Sequence, residues 1–387
     1  MPTYHVTTAA ELKAAFDAYV SLAEPIIVEI DSDIDFNDSQ YYRYDGDFFY
    51  LGQNNQPFTI NGNGHTLANI YLFPNRALID YNTYSRGEKP VINDLKFEIV
   101  SNNATIIRHH NYINFQGETM AQWMINRCTF NVKVYSAVNP LFAFETLSGG
   151  GSSATFGFVN CVFNLYISGI NVNQTGNSGN PDFFWPIILF FHGNYYYGYE
   201  GCCIISGCMF NIRNATNKFI MFVKTTGNPD SARVVFDNDA IFYSDIGLEQ
   251  PDYYHWSGSN YPPEPTYKQH HIFTAGTAST TSIQNCYIAQ FDQYMNLNPD
   301  FEKPRFELFL ASTGQDVASV TNKINTCFYD KDKIYAYQNY RVGSAASGSI
   351  WGEVLDNSNG VLSALTTEQC KDAIALGSVG YIFSQEV

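Results

Sequence analysis

The chain has 387 residues, 21 Lys and Arg against 37 Asp and Glu, and a formal net charge of −16. That balance excludes a nucleic-acid or anionic-membrane partner recognised through a basic face, since both need clustered cations. Hydrophobic residues make up 45% and charged residues only 15%, so a large core is available and solubility rests on Asn, Ser, Thr, Tyr and Gly.

The opening stretch, MPTYHVTTAAELKAAFDAYV, has no basic region followed by an apolar one. The longest apolar run, FFWPIILFF at 183–191, is too short for a membrane span and holds a proline. The expectation is a chain made in the cytoplasm without a signal peptide and without membrane insertion. Thr8 and Glu11 stand at capping-box spacing, and Leu12, Ala15, Phe16 and Val20 then fall on one face, which predicts a helix over 8–22. With the extended stretch PIIVEIDSDIDF that follows, it forms an N-terminal cap over 1–55.

From 56 to 335 the sequence repeats. Aligned on Asn63, Leu95, Cys128, Cys161, Cys208, Asp239, Cys286 and Cys327, successive copies stand 31 to 47 residues apart. Three residues earlier lie Ile60, Ile92, Ile125, Phe158, Ile205, Phe236, Ile283 and Ile324. Two residues later lie His65, Phe97, Phe130, Phe163, Phe210, Ile241, Ile288 and Tyr329. FTINGNGHTLANIYL and ATFGFVNCVFNLYISGI alternate at period two, are rich in β-branched and aromatic residues, and carry Gly, Asn and Ser punctuation, as strands do. Variable step lengths suit β-coils with loop insertions. The expected fold is therefore all-β: a solenoid of about eight coils, each burying a face against the next.

Insertions fall near 165–200 and 245–270. Residues 336–387 read as a C-terminal helix and strand cap or attachment segment. In it Thr366 and Gln369 form a second capping box and Gly377 a C′ stop. Such caps cover the edges that a solenoid leaves open.

The eight cysteines contain no Cys-x-x-Cys pair, and Cys202, Cys203 and Cys208 lack the spacing of a zinc site. Equivalent positions of successive coils stack about 4.8 Å apart, a strained geometry for a disulfide. Cys128, Cys161, Cys208, Cys286 and Cys327 are therefore expected to form an inward ladder of unpaired thiols behaving as small hydrophobes. No metal and no cofactor is expected.

The succession of TTAAELKAAF, IIVEIDSDIDF and FTINGNGHTL resembles the opening of pectate-lyase-like right-handed parallel β-helix proteins. The resemblance spans residues 5–335 and is most specific over 5–70. That superfamily includes secreted polysaccharide lyases and hydrolases, phage tailspikes, other virion proteins and adhesins, so the resemblance implies a fold, a single-stranded right-handed parallel β-helix, and leaves function to the site. Lyases of this fold carry a WIDH-like element, calcium-binding aspartates and an Arg-x-Pro-x-x-Arg-like motif. Here WMINRC has Asn126-Arg127 where Asp-His would stand, and EKPRFE at 302–307 is not the arginine motif. The lyase machinery therefore does not carry over.

Hydrolases of this fold need clustered aspartates. Asp237 and Asp239 in FDNDAIF would share one face if extended. His109 and His110, and likewise His270 and His271, are further candidate bases, of which at most one per pair can join a given site because strand neighbours point to opposite faces. No Gly-x-Ser-x-Gly, phosphate-loop or His-Glu-x-x-His motif occurs.

The more informative signal is aromatic. FFHGNYYYGYEG and EQPDYYHWSGSNYPPEPTY bring Tyr195, Tyr196, Tyr197, Tyr199, Tyr253, Tyr254, Trp256 and Tyr261 among Gly and Pro, which predicts binding loops. The expected function is a non-enzymatic structural or receptor- and glycan-binding β-helix, a bacteriophage virion component of capsid-decoration, fibre or tailspike type. Its expected partners are other virion or surface proteins and a host glycan, and its expected assembly is a homo-oligomer, a trimer first. The alternatives are a polysaccharide lyase or glycoside hydrolase, including a depolymerising tailspike, and a bacterial surface adhesin.

Overall fold

The computed structural model describes residues 1–22, 24–38, 48–50, 56–83, 90–111, 118–136, 140–146, 152–169, 186–192, 201–214, 220–226, 232–245, 273–277, 281–284, 286–289, 306–311, 324–325, 327–330, 339–342, 350–353, 362–366 and 368–369. Three sheets of ten strands each wind into a parallel β-helix, the all-β solenoid that the repeat predicts. Each turn of chain lays a strand in the first sheet, bends into the second, bends again into the third and returns one rung higher. The rung around Cys128 consists of Glu118–Asn126, Thr129–Ser136 and Phe142–Thr146. Among the described strands one pairing departs from parallel: Asn339–Val342 and Ile350–Glu353 run antiparallel at the end of the third sheet.

The apolar rows of the repeat are rows of the lattice. Ile60, Ile92, Ile125, Phe158, Ile205, Phe236, Ile283 and Ile324 are register partners on consecutive strands of the first sheet. In the second sheet Phe97, Phe130, Phe163 and Phe210 are register partners. Their rings stack face to face, with centroids 4.9, 5.1 and 4.6 Å apart and planes within 9° of parallel. Identical side chains at the inter-strand spacing can hardly pack otherwise, and each such pair contributes about 0.5–1.5 kcal/mol beyond its buried area.

The first copy is out of step with its sequence alignment. Leu67, not His65, pairs with Phe97, because the bend from Asn61 to Thr66 carries four residues where the next rung carries two between Asn93 and Lys96. Gly62 lies against the following rung, where a Cβ would stand 2.5 Å from the Leu95 Cα. His65 is accordingly outside the core, its Nδ1 3.3 Å from Asp33.

The bend between the first two sheets has a fixed form. Its first residue takes a left-handed conformation (Asp94, φ 51°; Arg127, 51°; Asn160, 53°; Gly207, 64°; Asn238, 59°) and its second turns inward. Gly, Asn and Asp tolerate that region. Arg127 does not share their advantage; a two-pronged ion pair holds it, Nε and Nη2 each 2.6 Å from the Asp94 carboxylate one rung below.

The helix Ala9–Leu22 closes the N-terminal end. Its capping box is reciprocal: the Glu11 N–H donates to Thr8 Oγ1 and the Thr8 N–H to Glu11 Oε2, each at 3.2 Å. The buried face comprises Ala9, Leu12, Ala15, Phe16 and Tyr19. Val20, expected on that face, is 40% exposed, and Tyr19 takes its place with its hydroxyl 2.5 Å from the Gln56 carbonyl. Phe16 and Tyr19 meet Phe58 at centroid distances of 5.6 and 5.8 Å, so the helix lies over the interior of the first rungs. The second capping box is also formed, between Thr366 and Gln369 at 2.9 and 3.2 Å. Gly377 lies outside the described residues.

Candidate functional site

The cysteines form the seam of the bend. Cys128, Cys161, Cys208 and Cys286 are buried and carry no disulfide among the described residues; the side chain of Cys327 lies outside them. Three of these thiols point at a carbonyl of the rung below: Cys128 Sγ to Ile92 at 3.7 Å, Cys161 to Ile125 at 3.3 Å, Cys208 to Phe158 at 3.4 Å. Each Sγ can also accept, and the Cys161 N–H reaches Cys208 Sγ at 3.4 Å. The hydrogen bond with Cys161, together with burial, pushes the Cys128 thiol far above its ordinary range, and burial does the same to Cys161 and Cys203. Such thiols stay protonated and do not serve as nucleophiles or metal ligands.

Asp239 occupies the next position of the seam. It is fully buried, and its Oδ1 accepts the Cys208 N–H at 2.6 Å, the role that Cys208 Sγ plays one rung lower. Asp237 stays on the outside, in register with Ser206, and is half-buried. The left-handed Asn238 between them, φ 59°, turns the two carboxylates to opposite sides of the wall. The expectation that they share a face assumed an extended strand and is corrected by this bend.

His109 is likewise interior, 1% exposed on the third-sheet strand Thr105–Asn111. Its Nδ1 accepts the Trp123 indole N–H at 2.8 Å. Indole nitrogen only donates, so Nδ1 is unprotonated and the neutral ring carries its proton on Nε2. Tyr81 and Phe156 meet it edge-on at 5.1 and 5.6 Å. Arg108, its neighbour, faces out and pairs with Asp80 at 2.5 Å. The side chain of His110, and all of His270 and His271, lie outside the described residues. Among the described residues no cluster of three His, Cys, Asp or Glu could hold a metal ion, and no helix is long and apolar enough to cross a membrane.

Tyr195, Tyr196, Tyr197, Tyr199, Tyr253, Tyr254, Trp256 and Tyr261 also lie outside the described residues. The strands that flank them fix where the chain leaves and rejoins the coil. The first four follow Pro186–His192 of the third sheet, and the others precede Phe273–Thr277 of the same sheet, two rungs on. Because the strands are parallel, one stretch leaves from the C-terminal edge of that sheet and the other enters at its N-terminal edge. Seven extended residues separate those edges by roughly 23 Å.

What sequence reasoning missed is the regularity of the outer faces. On the first sheet Asn126 donates to Asn93 at 2.9 Å, Asn93 to Asn61 at 3.0 Å, and Asn61 to Glu29 at 2.7 Å. On the second, Asn211 donates to Asn164 at 2.6 Å and Asn164 to Asn131 at 2.7 Å. An amide has two donors and two acceptor sites, so the half-buried Asn61, Asn93, Asn126, Asn131 and Asn164 keep hydrogen-bonding capacity beyond the row, while Asn211 is buried. The signal was present in the repeat: Asn stands three residues after Cys128, Cys161 and Cys208.

Fold and surface define this chain as a parallel β-helix protein with a closed, thiol-lined interior and amide-laddered outer faces. Compared with known proteins, it matches no family profile, no curated protein and no solved structure.

Proposed function

We propose that the chain is a non-enzymatic structural β-helix that displays rigid faces and tyrosine-rich insertions to a glycan or protein receptor, as a homo-oligomeric component of a bacteriophage virion. One observation carries the reading. Those side chains that suggest chemistry in the sequence and are described with their contacts are engaged in the wall itself: Cys128, Cys161, Cys208 and Asp239 along the bend, His109 against Trp123. The outer faces carry repeating amides instead. Rigid, pre-formed rows suit recognition of an extended or repetitive partner, because little order has to be imposed on binding. The virion assignment is supported by the resemblance of the opening residues to a superfamily that includes tailspikes and other virion proteins.

The test is binding and turnover measured together. The protein is passed over a glycan array, and every bound polysaccharide is then incubated with it and assayed for new reducing ends and unsaturated uronates. Binding without turnover is expected; cleavage overturns the reading. Mass photometry is expected to give a trimer, and a monomer contradicts the assembly.

A further inference from the structure

The outer face of the second sheet carries a row unlike the rest of this acidic chain. Tyr71, Val100, Lys133, Tyr166, Arg213 and Ser244 are register partners on six consecutive rungs. Beside it, two residues earlier on each strand, runs the amide ladder Asn131, Asn164 and Asn211. Tyr135 and Tyr166 are 47% and 37% exposed, whereas the phenylalanines whose burial is described are, Phe73 apart, buried. Lys133 Nζ lies over both, 4.9 Å from the Tyr135 centroid and 5.7 Å from that of Tyr166.

Tyr135 stands two residues after Lys133 and shares its outward face by ordinary strand alternation. The pairing of Thr129–Ser136 with the preceding strand shifts between Val134 and Ser136, leaving Tyr135 as the extra residue.

We propose that this face binds an anionic glycan, one bearing carboxylate or sulfate groups. The components fit that chemistry separately. Tyrosine rings offer flat apolar faces to the C–H side of a pyranose. Lys133 and Arg213 lie two rungs apart, about 10 Å at the inter-strand spacing, and supply cations where the chain as a whole is −16. Half-buried Asn131 and Asn164 present amides to ring hydroxyls one rung apart, a spacing similar to the length of one sugar, and buried Asn211 continues the row behind them. Glu98, in register with Asn131, closes the amide row at its N-terminal end, so the cationic part of the face lies toward Arg213. An acidic peptide would satisfy the cations but not the ring faces and amide row together.

The proposal rests on the glycan-binding reading above and sharpens it to one face and one ligand class. Its test uses the full chain on an array holding uronate-, sialate- and sulfate-bearing glycans beside their neutral counterparts, with polyglutamate as a peptide control. Lys133→Gln, Tyr166→Ala and Tyr135→Ala are compared with the parent protein, and thermal unfolding checks that these exposed changes leave the fold intact. The expected result is preference for the acidic glycans, weakening with salt, and a loss of about tenfold or more in affinity for each variant at unchanged Tm, equivalent to about 1.4 kcal/mol. Acidic glycan binding that the variants leave untouched overturns the assignment to this face while the glycan-binding reading stands. Equal binding of neutral glycans or of polyglutamate overturns the ligand class. No glycan binding at all overturns both.

Discussion

Replacing Trp123 by Phe tests whether His109 is a structural residue of the interior. Trp123 is 1% exposed, with Phe58 and Tyr81 edge-on at 5.6 and 5.7 Å, and it gives its only polar hydrogen to His109 Nδ1. The smaller ring leaves a void costing about 1 kcal/mol. It also leaves a buried acceptor unmet, which costs about 1–3 kcal/mol. The variant should therefore lose about 2–4 kcal/mol, a large share of the roughly 5–15 kcal/mol that holds a folded protein together. His109→Leu strands the indole N–H instead and should cost a comparable amount. Removing both polar partners strands neither, so the double variant should be more stable than the sum of the singles implies, with a coupling of about 1–3 kcal/mol. Urea unfolding followed by far-UV circular dichroism supplies all four corners of the cycle. Additivity within about 0.5 kcal/mol would refute the argument, because it would mean that indole and imidazole do not depend on each other.

Two further predictions follow from groups along the wall. Among thiols, half-exposed Cys202 should react with a maleimide well before buried Cys128, Cys161, Cys203 and Cys208, and eight thiols should titrate in denaturant; fewer than eight, or equal native rates, contradicts the seam of free thiols. The carboxyls of Glu11, Asp33 and Asp94 are held below the ordinary carboxylate range by the Thr7 and Thr66 N–H groups and by Arg127 respectively. Their folded values lie below their unfolded ones, so the stability they confer is complete above the ordinary carboxylate range and disappears as pH falls through the folded values. Carboxyl-carbon NMR should show Asp94 titrating low in the parent chain and returning toward its ordinary range in Arg127→Gln; no change contradicts the ion pair.

The interior was legible in the sequence because an interior row tolerates little but apolar residues at every rung. That is why Ile60 through Ile324, and Phe97 through Tyr329, could be aligned before any strand was placed. The slips occurred where local backbone departs from the extended chain that a period-two reading assumes. Four residues in one bend moved His65 out of the row that Leu67 fills. A left-handed Asn238 set Asp237 and Asp239 on opposite sides of the wall. A helical face containing Phe16 was assigned Val20 where Tyr19 supplies a larger ring and a hydroxyl within reach of Gln56. The outer rows were harder to see for a different reason. Solvent permits many residues, so a row such as Lys133, Tyr166 and Arg213 acquires meaning only once register makes its members neighbours.

With Ala9–Leu22 laid across the interior of the first rungs, the lattice of paired strands has a finished start. Every later parallel strand of a sheet finds its partner one turn back in the chain, already in place. Synthesis releases the N-terminal part first, so folding can run as polymerisation from a blocked seed, in one direction and one rung at a time. Throughout such growth the strand that extends each sheet is the one about to be made.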